Sequence, residues 1–212
     1  MKFAITQEHR HRFFENGSIE FENLISSSFL DELDMSLTTL FREIKDSKNI
    51  YFQGRDTWRK NSQLQKLVLS KHLAAIAADL TGSKILKIGY DQYFPQNFTS
   101  NSTVDYPLSI TSISSLTPLV CGVFICLSSP TATSSSHLPT TRGCVSYILP
   151  HTVLEDTTSF NSGRYFLITY SSNDTIYQPN QQDPHPYALK HMGYIYGSRL
   201  KEKEHPTVFR ML

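Results

Sequence analysis

Leu119-Val120-Cys121-Gly122-Val123-Phe124-Ile125-Cys126-Leu127 is an unbroken apolar run of strand length. It has no alternating polar positions, so it reads as a strand buried on both faces. The β signal continues on either side of it. Ile85, Ile88, Tyr90, Tyr93 and Phe94 place a strand near 84–94. Gly143 to Leu149, Arg164 to Tyr170, Asp174 to Gln178 and Tyr187 to Tyr196 read as further strands. Asn161-Ser162-Gly163 is a turn between two of them. The Ser/Thr-rich segments 99–115 and 128–141 read as long, mobile loops by composition.

Ahead of this region the period is helical. Gln7 to Asn16 reads as a short helix closed by Gly17, where glycine tolerates a left-handed backbone. Ile19-Glu20-Phe21-Glu22 alternates apolar and acidic residues, as a half-buried strand does. Ser28 followed by Asp31 predicts a capped helix start, and Leu30, Leu33, Leu37, Phe41 and Ile44 recur behind it on one face. A further helix is expected from about Ser62 to Leu80, striped by Leu64, Leu67, Leu73, Ile76 and Leu80 and ended by Gly82. Helices first and short strands later predict an α+β domain with a sandwich or barrel, not alternating βαβ units. The 212 residues read as one domain: a helical part over about 1–82, a β-rich part over about 83–198 and a tail over 199–212.

Composition narrows the function classes. Lys and Arg number 20 against 19 Asp and Glu, a formal net charge of +1, so the basic excess typical of nucleic-acid binders is missing. A small molecule or a protein is the expected partner ahead of nucleic acid. No membrane partner is expected, because the apolar stretch from Leu116 to Leu127 is broken by Thr117, Pro118 and Gly122 and is far shorter than the roughly 20 residues of a spanning helix. The start, Met1 to Gly17, carries Glu8, His9, Arg10, His11 and Arg12 and does not read as a secretory signal. Cys121, Cys126 and Cys144 all lie in apolar runs and read as reduced core residues, which places the chain in the cytoplasm. On that reading the glycosylation-like matches at Asn16 and Asn101 are chance. Asn49-Ile50-Tyr51-Phe52-Gln53-Gly54 looks like the tail of a protease tag site, but it lies mid-chain with Lys48 in place of Glu and reads as native.

Several phrases together resemble the phytanoyl-CoA dioxygenase branch of the Fe(II)/2-oxoglutarate oxygenases. They are Phe13-Phe14-Glu15-Asn16-Gly17-Ser18-Ile19, the helix from Ser28, Tyr90-Asp91-Gln92-Tyr93-Phe94, Gly122 to Leu127, Arg142-Gly143-Cys144-Val145 and Ile148-Leu149-Pro150. The resemblance covers roughly residues 10 to 196 and implies N-terminal helices packed on a double-stranded β-helix, a jelly-roll-like barrel. It also extends to an uncharacterised group of chlamydial type, from obligate intracellular bacteria, some of whose members have been labelled iron-responsive repressors.

The fold implies iron and 2-oxoglutarate, yet their ligands do not carry over. The family holds Fe(II) with two histidines and a carboxylate, two of them supplied by His-x-Asp or His-x-Glu. None of His9, His11, His72, His137, His151, His185, His191 and His205 is followed two residues on by a carboxylate, and no histidine lies between Tyr90 and Leu127. In Tyr177-Gln178-Pro179-Asn180, Tyr177 stands near the place of the distal histidine, with Asn180 completing the turn. Lys190 best matches the arginine that would pair with 2-oxoglutarate, as a point charge without the guanidinium fork. Tyr177, Asn180 and Lys190 are therefore the candidate ligand-binding residues.

His185 and His191 flank a Pro-rich turn and are the candidates for a relocated metal site, with ordinary loop and strand histidines as the competing reading. His9 and His11 point apart on a helix, and His151 reads as a surface or hydrogen-bonding residue. Neither a phosphate-cradling glycine loop, a Gly-x-Ser-x-Gly elbow nor a Cys-x-x-Cys pair is present. The expectation is a non-catalytic or divergent relative of the oxygenases, a pseudoenzyme without the usual triad. Two alternatives stand beside it: an iron- or divalent-cation-responsive transcriptional repressor, and a metal-dependent oxygenase with a relocated site.

Overall fold

The computed structural model describes residues 4–97, 108–131, 137–154 and 157–211. Asn101 and parts of the two Ser/Thr-rich segments, 99–107 and 132–136, lie outside the described residues. In chain order the elements are α1 (Gln7–Asn16), β1 (Ser18–Phe21), α2 (Ser27–Leu40), α3 (Ser47–Gln53), a 3-10 turn (Thr57–Arg59), α4 (Ser62–Val68), α5 (Lys71–Thr81), β2 (Ile85–Phe94), β3 (Leu116–Ser128), β4 (Val145–Ile148), α6 (Thr157–Ser162), β5 (Arg164–Tyr177), α7 (Ala188–His191) and β6 (Thr207–Arg210). The strands form one antiparallel sheet in the order β1-β4-β3-β5-β2-β6. It is an α+β fold with a curled sheet, α1, α2, α4 and α5 packed on one face and residues of α3, α6 and α7 on the other.

Each face of the sheet has its own core. Successive strand side chains point to opposite faces. Cys121, Val123, Ile125 and Leu127 of β3 therefore join Phe166, Ile168 and Tyr170 of β5 under the helices, with Leu33, Leu37, Leu64, Leu73 and Ile76. The intervening Phe124 and Cys126, with Tyr165 and Leu167, face a second cluster that includes Leu108, Ile110, Ile113, Phe160, Leu189 and Tyr194. A bulge in β2 between Ile88 and Asp91 shifts the alternation, so that Tyr90 and Phe94 face the second cluster and Tyr93 the first. β3 is buried continuously from Cys121 to Leu127, as its unbroken apolar run predicts.

The helical boundaries follow caps. Thr6 and His9 form a reciprocal capping box on α1, and Gly17 (φ 72°) closes it. Ser26, not Ser28, caps α2 by accepting from Phe29 N. The helix expected over 62–80 is two helices, because Ser70 turns out of the helix and caps α5 by accepting from Leu73 N. The tag-like stretch is integral: Tyr51 is 1 % exposed, and an added Cβ on Gly54 would meet the Ile50 carbonyl oxygen at 2.9 Å.

Three strand expectations need correction. Arg164–Tyr170 and Asp174–Gln178 are one strand, β5, running past its exposed Asn173 and Asp174. Tyr187–Tyr196 is no strand. Ala188, Leu189 and Lys190 favour a helical turn, and Gly193 (φ 77°) closes it as its amide donates to Lys190 O. The segment read as a tail over 199–212 contains β6, which pairs with β2. The three cysteines are free and buried. Among the described residues, no helix is long and apolar enough to cross a membrane.

Candidate functional site

The sheet face away from the large helices is where an interior site would lie, and a cluster of aromatic rings packs on it. Phe94 packs on Tyr51 (5.6 Å between centroids), Phe124 (5.7 Å) and Phe160 (5.0 Å), and Phe160 packs edge-on to Tyr165 (5.6 Å). Such pairs add about 0.5–1.5 kcal/mol each beyond the area they bury. At one end Tyr177 meets Tyr194 edge-on at 6.2 Å.

Beside these rings lies a small polar chamber lined by Arg55, Asp56, Tyr90, Asp183, His185, Leu189 and His205 among others. The residues reach it from separate segments. Arg55 and Asp56 follow Gly54 and are held alongside β2 by an isolated bridge to Gln92 and by Asp56 N donating to Asp91 O. Arg55 is 4 % exposed. Its guanidinium carbon lies 3.6 Å from the centre of the Tyr90 ring, and Nη2 donates to Ile113 O at 2.6 Å. The same nitrogen is 3.6 Å from Asp183 Oδ1, while Nε and Nη1 have no hydrogen-bond partner among the described residues. Burial alone would lower the Arg55 pKa. Asp183 foremost, then Tyr90 and other neighbours, outweigh it, and the net shift is upward. Asp183 is itself fixed, its two oxygens accepting from Ser115 N (2.8 Å) and His185 N (2.9 Å).

The carboxylates behind Arg55 are unusual. Asp56 takes a left-handed backbone (φ 54°), rare for a residue other than glycine, and its buried Oδ1 has no partner. Burial raises its pKa against the opposing pull of Arg59 and Arg55. Asp91, fully buried, caps the 3-10 turn by accepting from Thr57 N (2.8 Å), Thr57 Oγ1 (2.5 Å) and Trp58 N (3.2 Å). Burial first, and the charge of Asp56 second, push its pKa up to about 7. His205 Nδ1 lies 3.0 Å from both Ile88 O and Gly89 O. Two carbonyls require a donor, so Nδ1 carries the proton and Nε2, which is buried without a partner, is a bare acceptor. Burial lowers the His205 pKa to about 4, so the ring is neutral.

The chamber offers about 20 Å³ to the centre of a water molecule. One water needs roughly 10–15 Å³ by that measure, and small-molecule pockets begin near 300 Å³. A 2-oxoglutarate molecule does not fit it. A cation is opposed by the Arg55 guanidinium, and among the described residues no three of His, Cys, Asp and Glu are grouped to hold a metal.

The residues singled out in the sequence fall in separate environments. Tyr177 is fully buried and its hydroxyl donates to Pro186 O at 2.8 Å. Asn180 clamps the segment before β3, its amide donating to Ser112 O (2.6 Å) and Ser114 O (3.2 Å). Lys190 is on α7, not on a strand, and its exposed ammonium lies 4.5 Å from the Tyr187 ring centre. His185 is exposed at the rim of the chamber, and His191, also exposed, ends α7. His151 is exposed and its Nδ1 lies 3.4 Å from Thr111 Oγ1. Arg55, Asp56, Asp91 and His205 were not anticipated. The one signal for the first two is a charged pair set directly after Gly54, between the aromatic residues Tyr51 and Phe52 on one side and Trp58 on the other.

No family model matches the sequence, and no curated protein matches it. Solved structures do. The non-heme α-ketoglutarate-dependent carbocyclase SnoK of nogalamycin biosynthesis is similar at a TM-score of 0.71 and 15 % identity, over 96 % of each chain. The α-ketoglutarate-dependent epimerase SnoN of the same biosynthesis is similar at 0.69 and 12 %, over 95 % of this chain and 97 % of its own. CT296 from Chlamydia trachomatis is similar at 0.52 and 18 %, over 81 % of this chain and 98 % of its own. At these identities the likeness establishes architecture alone: the chain has the jelly-roll fold of the iron/2-oxoglutarate oxygenases.

Proposed function

We propose that this chain is a divergent relative of the iron/2-oxoglutarate oxygenases, near their phytanoyl-CoA dioxygenase branch and the chlamydial group, that binds a small molecule or a protein and does not run the usual oxygenase reaction. The polar chamber carries this reading: it has room for about one water, and among the described residues no metal-ligand set is grouped in it. Phe94, Phe124, Phe160 and Tyr165 pack against one another on the same sheet face. The sequence adds that no His-x-carboxylate pair exists and that, by the resemblance, a tyrosine stands near the place of the distal histidine. Tyr177 in particular is committed to Pro186 O and to the Tyr194 ring.

The test is metal analysis of the purified chain together with a succinate-release assay under iron, ascorbate and 2-oxoglutarate. The expected result is no stoichiometric iron and no succinate above background. One iron per chain with turnover of 2-oxoglutarate overturns the proposal. Zinc or iron retained by the wild type and lost in His185→Ala/His191→Ala would instead support the relocated metal site.

A further inference from the structure

Between Gly193 (φ 77°) and Gly197 (φ 80°) the chain makes a tight turn that displays Ile195 and Tyr196, 75 % and 70 % exposed. The turn is firmly held. Tyr194 is buried, its ring edge-on to Tyr177 and to His205, and its amide donates to Leu189 O at 3.0 Å. Gly197 N donates to Tyr177 O at 2.9 Å, and Ile195 N donates to Ser198 Oγ at 3.0 Å. Lys201 Nζ donates to the carbonyls of Met192 and Gly193 at 3.1 Å each, with its ammonium over the Tyr194 ring. A backbone tied this closely to the core presents two adjacent large apolar side chains to solvent. Scattered exposed apolar residues are ordinary, whereas two adjacent ones on a fixed turn form a small continuous apolar patch.

The flanks are basic. Lys190, Arg199, Lys201 and Lys203 lie between Tyr187 and Glu204, and the two acids of that span are held by other cations, Glu202 by Lys87 at 2.8 Å and Glu204 by Arg59 at 3.4 Å. Arg199 approaches Asp174 only to 3.9 Å. The local charge is positive although the whole chain carries a formal net charge of only +1.

We propose that this turn is a membrane-surface contact: Ile195 and Tyr196 enter the headgroup boundary of an anionic bilayer while Lys190 and Lys203 meet its headgroups. A two-residue projecting tip falls far short of the roughly 800 Å² per partner of a stable protein interface. Like-charged flanks oppose a second copy. A bilayer accepts a convex apolar tip and rewards each cation beside it. The expectation of no membrane partner rested on the lack of a long apolar span, which an interfacial turn does not need.

The experiment is co-sedimentation of the full chain with vesicles of phosphatidylcholine alone or with about a third phosphatidylserine. Binding is expected on the anionic vesicles at low salt and is lost at high salt. Ile195→Ser/Tyr196→Ser should lower partitioning at least tenfold with an unchanged circular dichroism spectrum. Lys190→Ala/Lys203→Ala should lower it about 25-fold, at about fivefold per cation. No binding to anionic vesicles at low salt, or equal binding by the Ile195→Ser/Tyr196→Ser variant, overturns the proposal. A wild-type dimer that the same double variant dissolves would reassign the turn to self-contact and overturn it as well.

Discussion

Replacing Arg55 by Met removes the chamber's cation while keeping most of the side chain's apolar length. Arg55 Nη2 lies 3.6 Å from Asp183 Oδ1, and the two side chains are only 3 % and 10 % exposed. Coulomb's law with an effective dielectric of about 20 gives about 4.6 kcal/mol for that distance, a ceiling on the direct attraction. The substitution also removes the bond to Ile113 O and leaves Asp183 buried without its partner. Breaking one side of a buried pair typically costs about 3–5 kcal/mol, and that loss is expected for Arg55→Met. Asp183→Asn loses the same attraction and also disturbs the amides of Ser115 and His185. Those extra losses are common to the single and the double variant, so they cancel in a double-mutant cycle. Urea unfolding of wild type, Arg55→Met, Asp183→Asn and the double variant, followed by circular dichroism, yields the coupling. A value of about 2 kcal/mol or more is expected. A coupling below about 0.5 kcal/mol, or an Arg55→Met variant as stable as wild type, refutes the claim that this pair organises the chamber.

His205 should titrate near pH 4 by NMR, because burial holds its folded pKa below the usual histidine value. A folded pKa below the unfolded one of about 6.5 means that the group's contribution is full above that value and is lost as pH falls towards 4. A His205 midpoint above 6 would contradict the neutral, carbonyl-bound ring. The cysteines should be inert to a thiol reagent at neutral pH and react together only on unfolding, since burial pushes the Cys121 and Cys126 thiols up to about 12 and Cys144 to about 11. Rapid modification of any of them in the native protein would show that the segment burying it is open.

The parts of the fold legible in sequence are those where one local rule dominates. The run from Leu119 to Leu127 has a single solution, a strand covered on both faces, and Gly17 and Gly82 mark helix ends with positive φ values of 72° and 70°. Ambiguity enters where local rules compete. Tyr187 to Tyr196 mixes aromatic residues, which favour strands, with Ala188, Leu189 and Lys190, which favour helix, and Gly193 decides it by closing a turn. The continuity of β5 past Asn173 and Asp174 is set by its neighbours. Its pairing with β3 runs from Arg164 opposite Ser128 to Tyr177 opposite Leu116, shifting register at irregularities that no local pattern announces.

The candidate site was less legible for a geometric reason. Histidines, a lysine and a tyrosine at short spacings are what a sequence displays, because metal and cosubstrate sites in the iron/2-oxoglutarate oxygenases announce themselves that way. The polar chamber is instead drawn from five separated segments, contributing Arg55 and Asp56, Tyr90, Ser115, Asp183, and His205. None of these carries a linear signature, since each is set in place by a backbone contact. Asp56 N donates to Asp91 O, Asp183 accepts from Ser115 N, and His205 Nδ1 donates to the carbonyls of Ile88 and Gly89. The β2 bulge that turns Tyr90 inward lies between Ile88 and Asp91, so the irregularity that spoils the strand pattern also delivers the ring beneath Arg55. A cluster held by backbone carbonyls and amides constrains its neighbours' positions more than their identities. It therefore emerges only once the sheet register is known.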